Sequence, residues 1–213
     1  MTLTFKQYKW IWLIALAGLT VGADQITKSM VRGSLARPIE GLYPPPCDPD
    51  GKLEQRERLR SKPAVTVVDG YFHLRYVENC GGAFGFLSSR SEKTRRPFFF
   101  LTSILATGFL IYLFWRIGPR EKVLMVAFSV ILGGAIGNVI DRIWLGYVVD
   151  FVEWHIKDRA RWPTFNIADV GITVGLVLIL IDSFFLAGKR EKAIAAEAGK
   201  GQAGGEEKPA DAK

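Results

Sequence analysis

The sequence predicts an all-α membrane core of four transmembrane helices, with a small β-structure inserted between the first and second. Three observations predict it. Apolar residues make up 49% of the 213 positions, but they gather into four runs almost free of charge, which is how membrane spans read. The basic residues behind the formal net charge of +7 lie mostly between those runs, where they meet lipid headgroups more naturally than nucleic acid. Between the first and second runs, the pattern changes to alternation with a period of two, which suits paired strands.

The first run covers residues 10–23, behind Lys6 and Lys9, and leads into Asp24-Gln25-Ile26-Thr27-Lys28. One reading is a secretory leader, with a basic start, a short apolar core and Val21-Gly22-Ala23 as a small-residue cleavage site. The other is a helix that continues, placing Asp24 and Lys28 four residues apart on one face. That pair is then either a helix-end ion pair or an acid and base held at a membrane surface.

Residues 32–62 read as irregular. Pro44-Pro45-Pro46 excludes helix, and the charge run 52–62 reads as a solvated surface helix. Val65, Val67, Phe72, Leu74 and Tyr76 then alternate around Asp69-Gly70, a two-residue hairpin signal. The continuation, Asn79-Cys80-Gly81-Gly82-Ala83-Phe84-Gly85, is a flexible loop or a glycine-rich segment whose backbone approaches another surface closely.

The second run, 97–115, carries no charge and at 1.5 Å per residue reaches roughly 28 Å, one hydrocarbon thickness. The third, 123–140, holds Gly133 and Gly137 four apart, a spacing that lets helices pack closely in lipid. Asn138, Asp141 and Arg142 follow on one helix face. A loop then carries Asp150, and the fourth run, 167–187, opens behind Phe165-Asn166-Ile167-Ala168-Asp169 and is interrupted by Asp182. Residues 1–187 form the membrane domain, with an insert at 33–96. Residues 188–213, rich in Ala, Gly, Glu and Lys, are expected to be a disordered tail.

Four spans place both termini on one side, and residues scattered along the chain then meet at one depth on the other. These are Asp24, Lys28, Asn79, Asn138, Asp141, Arg142, Asp150, Asn166 and Asp169. Helix capping accounts for Asn166 and Asp169 taken alone. Their company at an apolar boundary, where ionisable groups are costly, points to function. Asp150 and Asp169 flank one loop between two hydrophobic segments and read as a catalytic pair. Two nearby carboxylates that share one proton can activate water and polarise a carbonyl. Basic residues border both ends of the spans, so they do not set the orientation.

Cys47 and Cys80, with His73 and His155, lack metal-ligand spacing. Neither metal nor cofactor is expected, and two free thiols are preferred over a loop disulfide. A small transporter or ion-conducting subunit is the rival class. It requires polar residues running through the membrane, including the region of Asp182.

Five blocks together resemble the lipoprotein signal peptidases (signal peptidase II). They are Asp24-Gln25-Ile26-Thr27-Lys28, Asn79-x-Gly81-x-Ala83-Phe84-Gly85, Gly137-Asn138-x-x-Asp141-Arg142, Val149-Asp150-Phe151 and Phe165-Asn166-x-Ala168-Asp169. The resemblance implies four transmembrane helices with an extracytoplasmic β-cradle, and an Asp150/Asp169 dyad. Asp24, Lys28, Asn79, Gly81, Phe84, Asn138, Asp141, Arg142 and Asn166 are implied as supporting or substrate-binding residues. It further implies a multi-pass protein of the bacterial cytoplasmic (inner) membrane, in contact with membrane lipids; a monomer is the expectation, although no sequence feature sets the oligomeric state. The termini would be cytoplasmic and the active face extracytoplasmic. The implied substrate is a prolipoprotein cut before its diacylglyceryl-modified cysteine. Gly82 stands where the family usually has alanine, and the insert at 37–62 is longer than the family pattern.

Overall fold

The computed structural model describes residues 4–43, 56–81, 87, 92–157 and 159–203. Helix α1 runs unbroken over Phe5–Leu35, started by a capping box between Thr4 and Gln7. It carries Asp24 and Lys28 well inside the helix, so the polar block extends the first span. At about 1.5 Å per residue it is long enough to cross a bilayer and project beyond it. Helices α2 (Glu92–Arg116), α3 (Lys122–Trp144) and α4 (Ile167–Ile181) supply the rest of the bundle. Among the described residues, four helices are long and apolar enough to cross a membrane.

Helix α3 is the axis of the bundle because glycine lets its neighbours reach its backbone. A methyl group added at Gly133 would meet Ala17 O and Thr20 Cβ of α1 at 2.7 Å. One at Gly134 would lie 2.3 Å from Ala168 O of α4, and one on Gly175 of α4 would lie 2.3 Å from Ile131 Cγ1. The Gly133/Gly137 spacing therefore marks a real helix contact, with both glycines turned toward α1. At the end of the bundle away from the strands, Leu13, Phe114, Ile117, Met125, Phe128 and Leu132 form an apolar core. The buried ammonium of Lys9 closes the end of α2 there, donating to Trp115 O at 2.8 Å and Ile117 O at 3.2 Å.

The strands depart from expectation in three ways. First, part of the charge run expected as a helix is strand β2 (Arg56–Ser61). It pairs antiparallel with β1 (Ala36–Tyr43), which follows directly on α1. Alternating charged side chains are equally solvated on a two-stranded ribbon, so charge density did not discriminate. Pro44-Pro45-Pro46 lies outside the described residues. Second, β3 (Val65–Val68) and β4 (Phe72–Asn79) form the hairpin, but its connection is three residues. Val68 pairs with Phe72, and Gly70 takes the left-handed φ of 74°. Third, Asp150 is in strand β5 (Val148–Ile156) rather than a loop. β5 pairs with β4 and with the short β6 (Ala160–Arg161), giving the order β3-β4-β5-β6. The sheet is thus assembled from both connections, before α2 and after α3.

The residues expected as a disordered tail also differ. A π turn at Asp182–Leu186 leads into helix α5 (Ala187–Ala203). Alanine, glutamate and lysine are strong helix formers, and Arg190 reaches back to grip both oxygens of the buried Asp182. Residues beyond 203 lie outside the described set.

Candidate active site

Five elements, α1, β4, α3, β5 and the start of α4, bring polar groups to the strand end of the bundle. Helix α1 provides Asp24, Gln25 and Lys28. Lys28 is 3% exposed, and its ammonium lies 2.8 Å from Asp24 Oδ2 and 3.1 Å from Asp141 Oδ2 of α3. Burying one cation between two carboxylates is tolerable only if the remaining lone pairs are filled, and they are. Asp24 Oδ1 accepts from Ala168 N at 2.9 Å, fastening the first turn of α4. Asp141 Oδ2 accepts from Val149 N at 2.9 Å, fastening the start of β5. Gln25 Nε2 donates to Asp24 Oδ2, Asp141 Oδ1 and Gly137 O at 3.0–3.1 Å. Gln25, inside the Asp24–Lys28 block, thus joins the site in addition to the residues expected from sequence.

This cluster connects to Asp169 through Asn138. Lys28 donates to Asn138 Oδ1 at 2.9 Å, and Asn138 Nδ2 donates to Asp169 Oδ1 at 2.9 Å. Asp150 is 1% exposed. Both of its oxygens accept, Oδ2 from Asn79 Nδ2 at 2.8 Å and Oδ1 from Asn166 Nδ2 at 2.7 Å. Asn166, fully buried, is the joint between the two acids. It forms a capping box with Asp169, accepting from Asp169 N at 3.0 Å while its own N–H donates to Asp169 Oδ2 at 3.2 Å. Capping and site formation are therefore one arrangement, since the bonds that start α4 also place Asp169 beside Asp150.

The return of the chain after β6 explains why residues so far apart in sequence meet. Phe165 bridges to Val152, donating to Val152 O at 3.1 Å and accepting from Phe151 N and Val152 N. The next residue, Asn166, then falls against the side chain of Asp150. Arg142 closes the arrangement from α3. Its guanidinium donates to Asn138 O at 3.0 Å and Gly81 O at 3.3 Å, and lies over the Phe99 ring at 5.0 Å.

Burial, reinforced by the nearby charge of Asp169, pushes the Asp150 carboxyl up to about 7, with the Asn79 and Asn166 donors acting the other way. Asp150 thus titrates near neutrality. Asn79, the donor to Asp150, also lines a largely apolar cavity of about 590 Å³, with Phe99, Phe100, Val139, Arg142 and Ile143 among its other walls. Behind the strands, the buried hydroxyls of Tyr76 and Tyr147 meet at 2.9 Å, and Tyr76 donates to Glu78 at 2.9 Å. Burial raises both phenols, so they remain neutral.

Of the expected residues, Asp24, Lys28, Asn79, Gly81, Asn138, Asp141, Arg142, Asp150, Asn166 and Asp169 form one hydrogen-bonded network. Phe84 lies outside the described residues. The preference for free thiols is overturned, because Cys80 is disulfide-bonded. Its only possible partner in the sequence, Cys47, lies outside the described residues. Sequence separation carries no information about such a pair, which depends on how the strands fold back.

The family model described as Signal peptidase (SPase) II matches residues 16–185. Among curated relatives, the chain is 42% identical over 112 residues to the lipoprotein signal peptidase of Anaeromyxobacter sp. (strain Fw109-5), across 52% of this chain and about half (53%) of that protein. It is 36% identical over 169 residues to the lipoprotein signal peptidase of Syntrophotalea carbinolica (strain DSM 2380 / NBRC 103641 / GraBd1), covering 79% of this chain and 88% of that one. Its fold matches a bacterial membrane enzyme solved by the in meso method at 2.3 Å resolution, with TM-score 0.59, 26% identity and 94% of each chain covered. The family match runs from the first span into the fourth and takes in each block that builds the polar network, so this multi-pass membrane chain belongs to the signal peptidase II family.

Proposed function

We propose that this protein is an aspartyl endopeptidase that removes signal peptides from prolipoproteins, cutting before the lipid-modified cysteine, with Asp150 and Asp169 as its catalytic dyad. The observation that carries the reading is Asn166, which bonds to both acids at once. The pair shares one proton, since two adjacent carboxylates resist double ionisation. Burial pushes the Asp150 carboxyl up to about 7, so the pair holds that proton jointly near neutral pH. The ionised member of the pair takes a proton from the attacking water. The protonated acid polarises the scissile carbonyl and supports the developing oxyanion. Collapse of the tetrahedral intermediate returns a proton to the leaving amine.

Lys28, Asp24, Asp141 and Gln25 act as positioning residues through Asn138 and the starts of β5 and α4. The apolar cavity takes up lipid-modified peptide, and Arg142 at its wall meets the peptide backbone. The catalytic face is extracytoplasmic and the termini cytoplasmic, in the bacterial inner membrane. The disulfide at Cys80 supports this orientation, because such bonds persist on the oxidising side of that membrane. The transporter reading loses ground because the polar groups fall into two sets at opposite ends. Apolar packing around Phe128, Ile131 and Leu132 separates them.

The test is cleavage of a lipidated prolipoprotein by purified protein in detergent. Asp150→Asn and Asp169→Asn should each abolish turnover while the protein stays folded. Near-normal turnover by either variant refutes the dyad.

A further inference from the structure

The last rung of the β4–β5 ladder pairs Asn79 with Val148. The three residues at this strand end carry demanding contacts. Asn79 donates to Asp150 Oδ2 at 2.8 Å and accepts from Gly81 N at 3.0 Å. Gly81 O accepts from Arg142 at 3.3 Å. Cys80, between them, is disulfide-bonded, packs against the core of Tyr147, Val149 and Phe151, and lines the same cavity as Asn79.

We infer that the Cys80 disulfide is a positioning element for the proposed hydrolysis, fixing the end of β4 so that Asn79 stays bonded to Asp150. A hydrogen bond weakens steeply once its distance and angle drift, and a strand end held on one side only is free to drift. A covalent link at the adjacent residue removes that freedom. Cys47 is the only other cysteine in the sequence. This inference rests on Asp150 acting as a catalytic carboxylate.

Opening the bond needs a reductant. Dithiothreitol supplies two electrons and two protons, the S–S bond becomes two thiols, and the reagent leaves as its cyclic disulfide. The test follows kcat and KM across pH with the full-length protein and a lipidated prolipoprotein. Four samples are compared with the oxidised wild type: reduced wild type, Cys47→Ser/Cys80→Ser, Asn79→Ala, and Asn79→Ala after reduction. Thiol titration verifies that the bond has opened.

Reduction and the double serine variant should each lower kcat about tenfold, the effect of loosening one hydrogen bond to a charged group, with a smaller change in KM. The alkaline limb of kcat should move to higher pH, because the Asn79 donor holds the Asp150 carboxyl down. In Asn79→Ala, reduction should have no further effect on kcat, and reoxidation of the wild type should restore activity. An unchanged kcat and pH limb with the bond demonstrably open overturns the inference. So does a further tenfold loss on reducing Asn79→Ala, which would place the effect of the disulfide elsewhere. A fully active Asp150→Asn variant instead removes the dyad itself, a separate failure from that of the disulfide.

Discussion

Replacing Lys28 by methionine keeps the length of the side chain and removes the one cation between Asp24 and Asp141. The magnitude follows from the geometry. The ammonium sits 2.8 and 3.1 Å from the two carboxylates, and all three side chains are at most 4% exposed. At an effective dielectric near 20, each contact contributes on the order of 5 kcal/mol of attraction, set against a comparable cost of desolvation. The variant loses the attraction and keeps two buried acids facing each other, so the net loss should be about 3–5 kcal/mol. For a chain of this size that corresponds to roughly 6–20 °C in Tm. The assay is thermal unfolding in detergent, run beside peptidase activity on lipidated substrate. Activity at a temperature where the variant is still folded should fall as well, because Lys28 also positions Asn138 and through it Asp169. Adding Asp141→Asn to Lys28→Met should recover part of the stability by removing one uncompensated charge. A Tm within about 2 °C of wild type, or no recovery in the double variant, would refute the electrostatic account.

Other consequences are open to measurement. Gly137→Ala places a methyl group 2.6 Å from Asp24 Oδ2 and should lower both Tm and turnover, whereas Gly175→Ala, which clashes with Ile131 and Ala127 away from the site, should cost about 1–3 kcal/mol of stability with kcat preserved in the folded fraction. The pH dependence has a definite sign. The folded state binds the Asp150 proton more tightly than the unfolded chain does, so this group's contribution to stability declines as pH rises from about 4 to about 7. Melting curves of Asp150→Asn should lack that decline, and wild-type kcat should fall above pH 7 as the shared proton is lost. An unlipidated precursor should be cleaved poorly, since lipid holds the scissile bond at membrane depth. Equal cleavage of lipidated and unlipidated forms would contradict that.

How far the sequence reaches depends on the type of signal. The spans were legible because a bilayer imposes length and apolarity on each helix locally. The Asp69-Gly70 turn was legible because left-handed backbone favours glycine. β2 and α5 were misread for a shared reason: charged or small residues exposed to water satisfy several backbone conformations, and neighbours choose among them. Arg56–Ser61 is a strand because β1 lies beside it. Residues 187–203 continue as a helix on the end of α4, where Arg190 finds Asp182.

By itself the sequence determined which residues could take part. Span counting brings Asp24, Asn138, Asp150 and Asp169 to one depth, because an unpaired ionisable group is expelled from hydrocarbon. Only the tertiary structure decided who touches whom. That Asp150 sits on a strand, that Phe165 folds back onto Val152 to deliver Asn166, and that Cys80 is covalently tied are long-range facts. They depend on register and chain reversal, and a one-residue slip in β5 would turn Asp150 to the opposite face of the sheet.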